Sequence, residues 1–191
     1  MAAAPFTMPS VNPLEEAVGT LADFLDGHDI PYMVIGGIAG LVWGLRRATF
    51  DVDVTLWAGE RERETVTLLT KAFPSRAPDP AAFVRDTSVL PVTVGGIPAD
   101  VVFGRLPYER AALARSRTVA LGGCKVRVCT LEDLILHKII SKRAKDLEDV
   151  RELIRLRVSS LDRKYLEPRV RALAEELAEP AILEHYLRSL S

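Results

Sequence analysis

The chain carries GGIAG at residues 36–40 and, one helical span later, RATFDVDV at residues 47–54. In an extended strand, residues i and i+2 point to the same face, so Asp51 and Asp53 place two carboxylates side by side. Adjacent carboxylates repel each other unless a cation lies between them, and Mg²⁺ binds a few carboxylates together with water and substrate phosphates. Paired metal ions stabilise both oxygens of an in-line phosphoryl displacement. The pattern therefore predicts a nucleotide-transferring enzyme that uses Mg²⁺, with Mn²⁺ as an alternative.

A third acidic residue, Asp100, interrupts the apolar run Ile97–Phe103. A lone buried carboxylate is costly there, and a metal ion or a substrate proton relieves the cost. If this strand lies beside the strand of Asp51 and Asp53, the three carboxylates form a metal-binding cluster. Asp100 then also draws the proton from an attacking hydroxyl group. The alternative is a salt bridge to an arginine, and it stays open for all three residues.

Gly36 and Gly37 follow the short apolar run Tyr32–Ile35, where a strand is predicted to turn into a helix. Backbone N–H groups at such a point hold phosphate oxygens without a side chain in the way. A glycine pair after a strand is also an ordinary tight turn. The distance to Asp51 favours the phosphate site, because it permits a helix and a return strand that bring glycines and carboxylates to one sheet edge.

The periodicity predicts an α+β fold, with a mixed or antiparallel sheet, helices packed on it and a C-terminal helical extension. We expect a flexible tail at 1–11, a core at 12–129 and a helical region at 130–191. Glycine pairs at 95–96 and 122–123 mark two hairpins. The predicted helices lie at about 12–26, 38–45, 60–73 and 108–114, and beyond residue 130; the predicted strands lie at 32–35, 51–57, 89–94, 97–103, 117–121 and 125–128, with a proline-rich connector at 74–80.

The composition is that of an ordinary globular domain: 191 residues, 48% hydrophobic, 27% charged and a net charge of −1. The apolar stretches are shorter than the roughly 20 residues that span a bilayer, and the N-terminus lacks a signal peptide pattern. We therefore expect a cytoplasmic protein of bacterial type with no membrane partner. No disulfide is expected between Cys124 and Cys129, since strand alternation puts them on opposite faces. Neither has neighbours at metal-ligand spacing, so both are predicted to be buried thiols of a reducing compartment. Basic residues crowd the last third of the chain but alternate with acids, which favours solvated helix faces.

The glycine pair and the three acids resemble the nucleotidyltransferase superfamily whose best-known member is DNA polymerase beta. Its small bacterial branches carry Gly-Gly or Gly-Ser, a helix, Asp-x-Asp on a strand and a third Asp on a later strand. The fuller pattern is similar to the abortive-infection (AbiEii-like) nucleotidyltransferase toxins, with matches at Ala39, Gly44, Arg47 and Thr49. The segment 131–149 resembles the same branch, in which a helix lysine and a downstream aspartate belong to the active site.

This resemblance implies a nucleotidyltransferase-like fold in which Asp51, Asp53 and Asp100 bind Mg²⁺ and carry catalysis. It implies that Gly36 and Gly37 hold the nucleoside triphosphate and that Lys138 contacts phosphate. Lys138 could instead face water with its neighbouring lysines. Arg47 could reach phosphate or brace Asp51, and the choice between Asp146 and Asp149 stays open. Toxins of this branch are usually longer, so the acceptor-recognising helical region is shorter here.

The leading hypothesis is Mg²⁺-dependent transfer of a nucleoside monophosphate, with ATP among the donor triphosphates, to an acceptor hydroxyl group. The acceptors considered are a tRNA 3′ end, a protein hydroxyl group or a small molecule. A toxin–antitoxin system would add a small antitoxin as partner. The alternative hypothesis is a non-catalytic nucleotide-binding module of regulatory or antitoxin type.

Overall fold

The computed structural model describes residues 12–141 and 143–190, so the predicted tail at 1–11 lies outside the described residues. The helices are α1 Pro13–Gly27, α2 Gly36–Trp43, α3 Glu62–Ala72, α4 Pro80–Thr87, α5 Pro107–Arg115, α6 Leu131–Ser141, α7 Ala144–Arg157, α8 Arg163–Glu176 and α9 Ala181–Arg188. The strands are β1 Tyr32–Val34, β2 Val52–Leu56, β3 Val89–Val94, β4 Ile97–Phe103, β5 Arg117–Leu121 and β6 Cys124–Val128. In the described parts of the chain, no helix combines the length and the apolar character that crossing a membrane requires.

The strands form one mixed sheet in the order β3-β4-β2-β1-β6-β5. β2 pairs in parallel with β4 and antiparallel with β1, and its register places Asp53 directly beside Asp100. The predicted α+β class with a mixed sheet is confirmed, and so is the adjacency of the two acidic strands. The sheet is mixed because β4 runs parallel to β2, to which the chain returns through α3, α4 and β3, and because β6 runs parallel to β1.

The first helix shows how the local sequence sets the boundaries of the core elements. Asn12 caps α1 by accepting a hydrogen bond of 3.0 Å from the backbone N–H of Leu14, and Pro13 occupies the first helical position. The buried face of α1, which includes Leu21 and Leu25, packs against the sheet. This helix agrees with the predicted one within a residue at each end.

Two local predictions needed correction. The helix after β1 begins at Gly36 rather than near Ile38, so the glycine pair forms its first turn, and Gly36 has the positive φ of 63° that favours glycine. Helix α4 was not predicted, although Asp79 caps it and Pro80 starts it. That pair, an N-cap residue followed by proline, was the available sequence signal.

The helices beyond residue 130 pack on one another and on the core. α6 contacts α2, α7, α8 and α9. On its buried face lie apolar residues together with Lys138, whose side chain is only 4% exposed. α6 therefore brings a buried cation toward the sheet edge where α2 begins. The proposed alternative that Lys138 faces water was wrong.

Candidate active site

A small, strongly polar cavity of about 90 Å³ lies where α2 begins, beside Asp53 of β2 and Asp100 of β4. All seven residues predicted from the sequence line it: Gly36, Gly37, Arg47, Asp51, Asp53, Asp100 and Lys138. The cavity wall also includes Thr49, Arg143, Lys145 and Asp146. Carboxylates and cations thus meet in a space that suits phosphate groups and metal ions.

Each of the three predicted acids has a different local environment. Asp51 lies just before β2, and its Oδ1 accepts a hydrogen bond of 2.8 Å from the Thr49 hydroxyl. Asp53 lies within β2 and is held close to the two glycines. Asp100 lies within β4, and the Arg76 guanidinium donates to its Oδ1 at 2.5 Å. The salt bridge considered for Asp100 is therefore present, while Asp51 and Asp53 have no arginine partner among the described residues.

Asp53 is in an environment that disfavours its charged form. Burial, followed by the negative charges of Asp51 and Asp100, raises its pKa to about 6. The backbone N–H of Gly37 and the positive charge of Arg143 act in the opposite direction but do not cancel this effect. The cluster therefore lacks positive charge close to Asp53.

The glycine pair is required by close contacts as well as by backbone conformation. A Cβ atom on Gly36 would overlap the carboxylate of Asp53, and one on Gly37 would overlap the side chain of Thr49. No larger residue fits at either position unless the acidic strand or the loop before it moves. The two glycines thus set how close the start of α2 comes to the carboxylates.

A buried ionic network forms the opposite wall. The Lys138 ammonium donates to Asp146 Oδ1 at 3.0 Å and to Asp149 Oδ2 at 2.6 Å. Asp146 Oδ2 also accepts hydrogen bonds from Ser141 at 2.7 Å and from Arg143 Nε at 2.6 Å. Both aspartates of the 145–149 segment therefore hold Lys138, and the sequence alone did not distinguish them.

The pKa of Asp146 shows that this network favours negative charge. Burial acts to raise the pKa, but the hydrogen bonds from Ser141 and Lys138, the positive charge of Lys138 and the hydrogen bond from Arg143 outweigh it. They lower the pKa to about 2. Asp146 is thus ionised at neutral pH and pairs with the Lys138 ammonium.

Arg47 neither braces Asp51 nor lies free in solvent. Its Nη2 donates to Asp149 Oδ2 at 2.8 Å, which links the loop before β2 to α7. Its Nε is buried and has no hydrogen-bond partner among residues 12–141 and 143–190. A buried donor without a partner costs free energy, so this N–H group is suited to a ligand oxygen.

Sequence reasoning missed Arg76, Arg143 and Lys145 as parts of the site or its surroundings. Arg143 and Lys145 lie in the segment of mixed charge that favoured solvated helix faces. Arg76 lies in the proline-rich connector and reaches a carboxylate 24 positions further along the chain. No spacing rule connects Arg76 with Asp100, because their contact depends on the strand order.

The donor atoms suit a hard divalent cation, since three carboxylates supply the oxygen ligands that Mg²⁺ and Mn²⁺ prefer. The raised pKa of Asp53 also indicates that positive charge is missing at this point. In their present positions, however, no three His, Cys, Asp or Glu side chains of the described residues lie close enough together to hold an ion. A metal shared by all three carboxylates would require side chains of the cluster to move, and at present Asp51 accepts a hydrogen bond from Thr49 and Asp100 from Arg76.

The fold is that of nucleotidyltransferases. A nucleotidyltransferase-like protein from Paracoccidioides brasiliensis aligns with 89% of this chain and 92% of its own, with a TM-score of 0.57 and 19% identity. The antibiotic-resistance factor ANT(2'')-Ia aligns with 91% of this chain and 96% of its own (TM-score 0.57, 17% identity). The lincosamide antibiotic adenylyltransferase LnuA aligns with 73% of this chain and 95% of its own (TM-score 0.50, 14% identity).

The sequence comparison covers a different part of the chain from the three acids. Residues 103–188 match the model of the family described as "Nucleotidyl transferase of unknown function (DUF2204)". The matched segment includes Lys138, Asp146 and Asp149 but begins after the acidic residues on β2 and β4. No curated protein sequence matches the chain. The family match and the fold together support a nucleotidyltransferase.

The first prediction concerns Gly36 and uses Gly95 as a matched control, since both have positive φ but only Gly36 has close neighbours. Gly95→Ala should cost about 1 kcal/mol of unfolding free energy from backbone strain alone. Gly36→Ala should cost about 2 kcal/mol more, because it also displaces Asp53. Urea denaturation of both variants measures this difference, and equal costs would contradict the packing argument.

The second prediction concerns pH. The folded state holds the Asp53 proton up to a pKa of about 6, against an ordinary value of 3.8, so metal-free stability falls as pH rises between these values. Asp53→Asn removes this loss and should be about 3 kcal/mol more stable than the unmutated protein near neutral pH. Denaturation in EDTA across this pH range tests it. A stability difference that does not change with pH would contradict the assignment.

Proposed function

We propose that this protein is a Mg²⁺-dependent nucleotidyltransferase that moves a nucleoside monophosphate from a nucleoside triphosphate to an acceptor hydroxyl group. The acceptor oxygen forms a bond to the α-phosphorus, the bond from that phosphorus to the bridging oxygen breaks, and pyrophosphate leaves. The fold, the family match and the cavity support this proposal. We expect the protein to act in the cytoplasm, as a toxin–antitoxin component of the AbiEii-like type.

The carboxylate wall would carry the metal and the acceptor chemistry. Asp51, Asp53 and Asp100 would hold Mg²⁺, or Mn²⁺ in its place. When bound, the metal neutralises phosphate charge that develops during transfer. Asp100 would also accept the proton of the attacking hydroxyl group, since its side chain is 47% exposed and within reach of an acceptor.

The opposite wall would bind the triphosphate. Backbone N–H groups at Gly36 and Gly37 begin a helix, where anions are favoured. Lys138 uses two of its three N–H donors on Asp146 and Asp149, which leaves one for a phosphate oxygen. The core at 12–129 would thus supply the metal ligands, and the helical region at 130–191 would supply the lysine.

The unpartnered Nε of Arg47 is the observation that carries the phosphate assignment. Its Nη2 is fixed on Asp149, so the guanidinium cannot turn freely to satisfy Nε elsewhere. A phosphate oxygen in the cavity would satisfy it by a charge-assisted hydrogen bond. Arg47 would therefore orient the triphosphate while also tying α7 to the site.

A groove of about 460 Å³ beside the site favours an RNA acceptor such as a tRNA 3′ end. Arg46, Arg155 and Arg157 line it, together with the single acid Glu152. Arg46 of the groove directly precedes Arg47 of the cavity in the chain. Phe50 directly precedes Asp51 in the chain and is 79% exposed, as a stacking surface for an unpaired base would be.

The second candidate is a regulatory or antitoxin-type module that binds nucleotide without transferring it. The pairing of Asp100 with Arg76 favours this candidate, because it draws one of the three carboxylates onto a cation of the protein itself. A protein hydroxyl group is a further acceptor under the leading proposal. Both candidates share the cavity and differ only in whether a product forms.

The third prediction tests transfer itself. The purified protein, incubated with Mg²⁺, each α-labelled triphosphate and either total tRNA or cell lysate, should label a macromolecule. Asp51→Asn and Asp53→Asn should each lower labelling by roughly a hundredfold or more, since loss of a metal ligand costs several kcal/mol in the transition state. Asp86→Asn is the control, because Asp86 is an exposed acid paired with Arg85 on α4. Nucleotide binding without label transfer would favour the regulatory module.

The fourth prediction tests the groove. If its three arginines each contact one phosphate, the affinity for single-stranded RNA should fall with a log–log salt slope of about −2. Replacing Arg46 and Arg155 together by Gln should reduce this slope to about −1 and weaken binding. Arg85→Gln is the control, as it removes an exposed arginine elsewhere. Fluorescence anisotropy with a labelled oligonucleotide measures both, and affinity that is insensitive to salt would favour a protein or small-molecule acceptor.

A further inference from the structure

The connector before α4 is attached to the acidic end of the sheet by a set of specific contacts. Ser75 forms a β-bridge with Val92 of β3, and the backbone N–H of Arg76 donates to the carbonyl of Pro91 at 2.8 Å. The backbone N–H of Thr93 donates to the carbonyl of Pro74 at 2.9 Å. The connector therefore acts as a short extra edge of the sheet at this point, and its position is fixed.

From this anchored backbone, the Arg76 side chain crosses β3 to reach β4. Its Nε donates to the carbonyl of Val92 at 3.2 Å, and its Nη2 contacts the carbonyl of Ala99 at 3.4 Å. The same Nη2 donates to Asp100 Oδ1 at 2.5 Å. Two backbone carbonyls thus hold the guanidinium at Asp100, the acid of the cluster that lies on β4.

The strand register lets the contact between Arg76 and Asp100 affect the other acidic residues of the cluster. Asp100 lies directly beside Asp53 on the neighbouring strand, so the charge on Asp100 acts on the carboxylate that is already short of positive charge. A cation at Asp100 relieves part of that repulsion. It also engages an oxygen that a metal ion shared by the three acids would need.

We propose that Arg76 is the built-in counter-ion of the third carboxylate and that it competes with the divalent metal for Asp100. In the metal-free protein, Arg76 stabilises the cluster in place of a cation. Metal binding has to displace the guanidinium from Asp100 or share the carboxylate with it, so Arg76 lowers the metal affinity of the site. This inference rests on the proposed function, because it takes the three acids as metal ligands.

The proposal predicts that the metal affinity rises when Arg76 is replaced by a neutral residue. Arg76→Gln removes a positive charge and a competitor from the cluster, so it should bind Mn²⁺ more tightly than the unmutated protein by about fivefold or more at low ionic strength. The gain should shrink as salt screens this partly exposed pair. A role limited to holding the connector in place would lower the metal affinity or leave it unchanged.

The fifth prediction is tested by titrating metal-free protein with Mn²⁺ alone and following the free ion by electron paramagnetic resonance. Arg61→Gln is the matched control, because Arg61 is a similarly exposed arginine paired with Glu64 away from the cluster. In an Asp100→Asn background, Arg76→Gln should lose most of its effect. Arg76→Lys, which keeps the charge, should stay within about twofold of the unmutated affinity, and a gain equal to that of Arg76→Gln would contradict competition by the charge.

Each outcome decides the matter. Tighter Mn²⁺ binding by Arg76→Gln, absent from Arg61→Gln and dependent on Asp100, supports the competition. An unchanged or weaker affinity overturns it, and if the unmutated protein still transfers nucleotide, the proposed function survives that result. If the unmutated protein neither binds Mn²⁺ nor transfers label, the proposed function fails and the inference with it.

Discussion

Repulsion between carboxylates that the sheet register holds together is the constraint on which this site depends. Asp53 and Asp100 are neighbours across β2 and β4, and the strands cannot slide apart without exposing the buried residues on their other face. The charges therefore have to be compensated where they stand. Each acid receives a different donor: the Thr49 hydroxyl for Asp51, the Gly37 backbone for Asp53 and the Arg76 guanidinium for Asp100.

A second group of charges ties the C-terminal helices to the same place. Lys138 of α6 bonds to Asp146 and Asp149 of α7, and Arg47 reaches Asp149 from the loop before β2. Apolar side chains of equal volume would join these elements with less desolvation cost. Unlike apolar packing, these ion pairs hold the cationic donors Arg47 and Lys138 at set positions around the cavity.

Local features of the fold could be predicted from the sequence because they depend on neighbouring residues. The Asp-x-Asp spacing, the cap at Asn12 and the glycine pair between β3 and β4 each act over a few positions. The contacts between Arg47 and Asp149, 102 positions apart, and between Arg76 and Asp100 depend on the strand order and helix packing. Periodicity carries no information about such pairs. Helix α4 was missed for a different reason, since its capping residues lay inside a segment interpreted as a connector.

The cavity has room for the groups that would react but not for the groups that would determine specificity. A space of about 90 Å³ accommodates phosphate oxygens and metal ions but not a base or a bulky acceptor. Under the proposed function, the base and the acceptor would contact surfaces outside it, such as Phe50 and the arginine groove. The similar solved structures are under 20% identical to this chain and show the fold alone. Under the proposed function, residues that lie around the carboxylates would determine the acceptor, and a comparison of folds does not identify it.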